Sequence, residues 1–84
     1  MYKVKVHVLL KDDVLDPQGK TVNNALHHMG YASIGDVRIG KYIEITSNET
    51  NETKLNADIN AMCQTMLANT VIEKFDFSIE KVAS

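Results

Sequence analysis

The chain has 84 residues and a mass of 9.4 kDa; 44% of it is apolar and 24% charged, which suits one domain with a single thin core and excludes a disordered polymer. Nine Lys and Arg against eleven Asp and Glu leave a net charge of −2, so the counterion release that drives binding to nucleic acid has no source. Charges interleave with apolar residues from Met1 to Lys5, giving neither a signal-peptide core nor a membrane-spanning run, and a cytoplasmic protein with no membrane or nucleic-acid partner is expected.

Tyr2, Val4, Val6, Val8 and Leu10 alternate with Lys3, Lys5, His7 and Lys11, the period of a strand with one buried and one wet face. Asp16 then precedes Pro17. Asp16 can accept from free backbone amides, and proline at a first helical position loses no hydrogen bond, so a helix starts there. Val22, Ala25, Leu26 and Met29 form its apolar stripe, and Gly30 is a left-handed cap with Tyr31 folding back towards Leu26. After a turn at Gly35 and Asp36, Val37, Ile39, Ile43 and Ile45 share one parity of a second strand. Gly40 and Lys41 interrupt it, as a kink or as a tight turn between two short strands.

Residues 47 to 53, Ser-Asn-Glu-Thr-Asn-Glu-Thr, are rich in capping types and introduce a second helix. Leu55, Ile59, Met62, Cys63, Met66 and Leu67 fall on its apolar stripe, and Asn69 and Thr70 end it. Phe75, Phe77 and Ile79 alternate with Lys74, Asp76, Ser78 and Glu80 in a last strand. The order β-α-β-α-β, with each strand apolar on one face only, implies an α+β fold: a two-layer sandwich with both helices on one face of a mainly antiparallel, ferredoxin-like sheet, forming one domain over residues 1–84. Three strands leave two open edges, so self-association as a dimer or tetramer is expected.

The four glycines are isolated, which excludes a phosphate loop and a dinucleotide fingerprint. Cys63, the one thiol, sits on an apolar stripe and reads as core rather than as a nucleophile. Met29, Met62 and Met66 read as core filling. His27 and His28 point about 100° apart on a helix and suit its negative end better than a shared metal. Asp12, Asp13 and Asp16 serve turn and cap. His7 lies on the wet strand face; its rival role is a ligand surface completed by Arg38 and Tyr42.

Two segments exceed what architecture needs. Asp16-Pro17-Gln18-Gly19 puts glycine in a helix's first turn, at a cost of up to about 1 kcal/mol relative to Ala unless something must approach closely. Arg38-Ile39-Gly40-Lys41 puts Gly-Lys in mid-strand. With the opening lysine-rich strand, the Leu26–Gly30 helix end and the segment Leu67-Ala68-Asn69-Thr70-Val71-Ile72-Glu73, they resemble the PurS family, small subunits of bacterial and archaeal phosphoribosylformylglycinamidine synthase.

That resemblance implies a non-catalytic subunit of a complex that uses ATP, magnesium and glutamine to turn an amide into an amidine in purine synthesis. A PurL-type synthetase subunit would activate the amide oxygen, a PurQ-type glutaminase subunit would release ammonia, and this chain would hold the two together, binding no cofactor itself. It further implies that Asp16, Pro17, Gln18, Gly19, Arg38, Gly40 and Lys41 form the partner interface, the glycines permitting close approach and the two cations, reachable by solvent, pairing with carboxylates or orienting a phosphate site. The competing reading is a stand-alone small-molecule-sensing regulatory module on the same fold. An acylphosphatase-like enzyme is excluded, because Lys11-Asp12-Asp13-Val14-Leu15-Asp16 would repel phosphate where that enzyme needs a cradle.

Overall fold

Strand β1 (Tyr2–Leu10) runs down the middle of a three-stranded sheet, between β2 (Gly40–Ser47) and β3 (Glu73–Lys81), and pairs antiparallel with both. The computed structural model describes residues 1–82. Its element order is β1, α1 (Pro17–His28), β2, α2 (Glu52–Met62), a π turn (Cys63–Leu67) and β3, so the α+β class and the β-α-β-α-β order stand as the hydrophobic periods imply.

Register places Val4 between Ile45 and Ile79 and Val6 between Ile43 and Phe77, all of one parity and therefore on one face. Val4, Val6 and Val8 are fully buried there against Leu55, Ile59, Cys63 and Ala68. Each buried aliphatic contributes roughly 1.5–3 kcal/mol, and that small set is the core. The opposite face is wet. Lys3 pairs with Glu44 at 3.6 Å and Lys5 with Glu80 at 3.0 Å, so the lysines of the central strand are neutralised by acids on both neighbours, and His7 Nδ1 lies 3.3 Å from Asp76.

Helix α1 begins as its sequence dictates: Asp16 caps it and Pro17 fills the first turn. It also ends as expected, with Gly30 at φ +99° and the Tyr31 amide donating to the Leu26 carbonyl at 3.0 Å, the six-to-one bond of a glycine-capped helix. Asn51 caps α2, its side chain accepting from the Lys54 amide at 3.1 Å.

Within this fold the two helices share the sheet unequally. Leu55 and Ile59 of α2 belong to the core, whereas α1 buries Gly19 and contributes nothing to the apolar cluster, with Val22 38% and Met29 69% exposed. A nine-residue strand spans roughly 30 Å and a 12-residue helix about 18 Å. The longest dimension of the molecule is 50 Å, so α1 extends the sheet's length instead of covering its width.

Two sequence expectations change. The second strand starts at Gly40 without a bulge, because residues 37–39 are held off the sheet by α1. Met62 and Met66 are surface residues, 42% and 81% exposed, and Met29 joins them. Leu55, Ile59, Cys63 and Leu67 recur every four residues, a stripe that drifts around a straight α-helix. The wider π turn, which begins at Cys63, advances each residue by a smaller angle, so Leu67 returns against the core beside the buried Cys63 and Met66 turns outward.

Candidate functional site

The two unusual segments fold onto each other at the end of the sheet where β1 leaves and β2 begins. Asp16 is 5% exposed, and its carboxylate divides between two elements: Oδ1 accepts from the Gly19 amide of α1 at 2.9 Å and Oδ2 from the Ile39 amide leading into β2 at 2.8 Å. These two amides, Gly19 first, hold the Asp16 carboxyl below its ordinary value of 3.8, with Arg38 adding to the effect and burial opposing it.

Gly19 is needed because of what lies beside it. A Cβ there would stand 2.1 Å from the Val37 carbonyl oxygen, so the close approach is to the chain's own backbone. The same holds at Gly40, where a Cβ would stand 2.2 Å from the Val8 carbonyl oxygen. Arg38 is half-buried, and its Nη2 donates to the carbonyls of Lys11 at 2.7 Å, Val14 at 3.1 Å and Leu10 at 3.4 Å. The guanidinium thus ties the loop between β1 and α1 to the lead-in of β2. The expected solvent-facing cation at 38 is instead an internal fastener.

Pro17, Gln18 and Lys41 remain exposed. With Leu10, Asp16, Ile39, Gly40 and Glu73 they line an open cleft of about 530 Å³. Lys41 has core-face parity, yet its ammonium clears the core by reaching the Leu67 carbonyl at the end of the π turn, 3.2 Å away. Glu73 Oε1 accepts from the Asn69 amide at 2.7 Å, so Lys41 and Glu73 both brace the segment after α2. Glu73, Leu67 and the Ile39 amide escaped the sequence reading, since only the fold brings together residues 23 or more positions apart.

The other candidates resolve simply. Cys63 is fully buried, and desolvation pushes its thiol up from the ordinary value of 9.0, away from the thiolate that nucleophilic attack requires. His7 stacks on Tyr42 with ring centres 5.0 Å apart, but Arg38 is elsewhere, so the three do not make one ligand surface. His27 Nε2 donates to the Ile34 carbonyl at 2.6 Å and ties the loop after α1 to the helix end. Asp12 pairs with Lys74 at 2.8 Å. Among the described residues no cluster of three His, Cys, Asp or Glu is placed to hold a metal ion, and no helix is long and apolar enough to cross a membrane.

A family model, PurS, described as phosphoribosylformylglycinamidine (FGAM) synthase, matches residues 3–81. The phosphoribosylformylglycinamidine synthase subunit PurS of Bacillus subtilis (strain 168) is 51% identical over 84 residues, covering 100% of this chain and 99% of that protein. In structure, the chain resembles Methanocaldococcus jannaschii PurS, one of the subunits of formylglycinamide ribonucleotide amidotransferase in the purine biosynthetic pathway. That likeness has a TM-score of 0.87 at 37% identity and covers 99% of this chain and 100% of that one. A chain of the PurLQS structure from Thermotoga maritima shares the fold, with a TM-score of 0.85 at 24% identity over 94% of this chain and 96% of that one.

Proposed function

The chain belongs to the PurS family, the non-catalytic subunits of phosphoribosylformylglycinamidine synthase in purine biosynthesis, and from that membership we propose that it bridges a PurL-type synthetase subunit and a PurQ-type glutaminase subunit so that ammonia passes between them. ATP, Mg2+ and glutamine are then handled by those partners, in the cytoplasm. The observation that carries the bridging role is the state of the family-like segments. Asp16, Gly19, Arg38 and Gly40 are spent on holding one another and the backbone, and what they present outward is a rim of Pro17, Gln18 and Lys41 beside an open cleft. Such a rim offers contact surface and no array of acid, base and nucleophile.

Self-association belongs to the same proposal, with a second copy of the chain as the occupant of the α1 stripe. The protein exposes 5950 Å², against about 5,000 Å² for a compact monomer of its mass. The excess, roughly 950 Å², is the amount that one partner contributes to a stable interface of ordinary size, about 800 Å². Its radius of gyration of 16.5 Å against about 12 Å for a compact chain gives the same message.

Reconstitution tests the bridging role. With the synthetase and glutaminase subunits, ATP and Mg2+, adding the chain should raise glutamine-dependent product formation strongly and leave formation from ammonium chloride little changed, because external ammonia bypasses the bridge. Equal stimulation from both nitrogen sources would refute ammonia transfer as its role. Calorimetry of the isolated chain with amino acids and nucleotides addresses the regulatory alternative, which requires a saturable heat.

A further inference from the structure

We propose that the clasp formed by Asp16 and Arg38 aims α1, and that this aim is what allows the helix to dock on a second copy of the chain; the proposal rests on the self-association reading above. The clasp has the parts of a fixed joint. One carboxylate holds two elements at once, the first turn of α1 through the Gly19 amide and the lead-in of β2 through the Ile39 amide, at 2.9 and 2.8 Å. Gly19 lets the Val37 carbonyl seat directly against the helix, which fixes the contact face as well as the separation. Arg38 binds the carbonyls of Lys11 and Val14 and so stiffens the segment that feeds α1.

At its far end α1 has no comparable anchor among the described residues. The returning loop bonds to the helix itself, through Tyr31 to Leu26 and His27 to Ile34, and the stripe residues Val22 and Met29 stay exposed. A helix held at one end is a lever. A tilt of about 20° at the joint moves the far end of a roughly 18 Å helix by about 6 Å, more than side-chain packing at an interface tolerates. Direction, and not merely helicity, therefore decides whether the stripe meets its partner.

Asp16→Asn tests the joint, because the amide keeps the shape but turns one acceptor into a donor facing the Ile39 N–H. Spin labels on His28→Cys and Thr46→Cys, both at exposed positions, in full-length chain diluted with unlabelled chain, report the direction of α1 relative to the sheet. Asp16→Asn should at least double the width of that distance distribution and raise the dimer dissociation constant tenfold or more, with the circular dichroism of the sheet and helices retained. Ile59→Val is the control: it weakens the core beneath α2 and should lower the melting temperature without moving either readout. Unchanged distances or unchanged dimer affinity in Asp16→Asn would overturn the proposal. Should that variant unfold, Arg38→Met takes its place with the same readouts, and unfolding of both would overturn the proposal by making the clasp a determinant of folding alone. A wild-type chain that stays monomeric at micromolar concentration would instead sink the self-association reading, before any variant is made.

Discussion

At the scale of single residues, Gly19 shows how a locally unfavourable choice is enforced from a distance. Alanine in a first helical turn is better than glycine by up to about 1 kcal/mol. Here its methyl would meet the Val37 carbonyl oxygen at 2.1 Å, a backbone atom next to Arg38 and Ile39, which are both hydrogen-bonded into the joint. Overpacking of this kind costs typically 1–3 kcal/mol, so Gly19→Ala should lower stability by about that range, read by denaturant unfolding. A stabilised variant would show that the 37–39 segment moves freely. Asp16 makes a prediction in pH. Its folded pKa lies below the unfolded value near 3.8, so the unfolded chain takes up the proton first as pH falls. The stabilisation is fully present above the unfolded value and is lost as pH falls through the depressed folded one. Between pH 5 and pH 3 the wild type should therefore lose more stability than Asp16→Asn, and equal losses would remove Asp16 from the joint.

Whole elements were legible where their determinants are local. The period of two in Tyr2–Leu10 and Phe75–Ile79, the Asp16-Pro17 start and the Gly30 stop each lie within a few residues, and each element formed as read. The rest depends on distant partners. An apolar stripe says that a helix face needs cover, not which surface supplies it, so Val22 and Met29 read as core although they face outward in the single chain. The Arg38 contacts join residues 24 to 28 positions apart and left no local trace beyond an arginine beside a glycine. The π turn likewise left no local trace, and it carries Leu67 inward and Met66 outward. That sorting sets up a paired measurement across α2 and the π turn. Ile59→Val should cost about 0.5–1.5 kcal/mol. Met66→Gln, by contrast, should fall within about 0.5 kcal/mol of wild type. A large loss at Met66 in the isolated chain would mean that the segment packs inward in solution.

At the scale of the molecule, an elongated chain with one helix outside its core is stable only to the extent that the remaining sheet–α2 unit is. Three central valines, Leu55, Ile59 and Cys63 form a small core, while α1 and its C-cap carry Val22, 38% exposed, the half-buried Leu26 and Met29, 69% exposed, on a face that the chain leaves partly uncovered. A second copy covering that face removes apolar area of the order that a stable interface needs, and stability then becomes dependent on concentration. Charge placed on the stripe separates the two contributions. In Met29→Glu, at a residue 69% exposed, the folded single chain loses little buried contact, so helix content should be kept and monomer stability should change by no more than about 0.5 kcal/mol, whereas Val22→Glu, at a residue only 38% exposed, should cost more. Docking should fail, because a carboxylate buried without a partner in an interface costs several kcal/mol, enough to raise the dissociation constant a hundredfold or more. Sedimentation at micromolar concentration should then report 9.4 kDa. In reconstituted synthase the same variants should depress product formation from glutamine far more than from ammonium chloride, which connects the α1 surface to the bridging role. Variants that remain dimeric at wild-type affinity would place the interface on another surface, with the open edges of β2 and β3 the next to test.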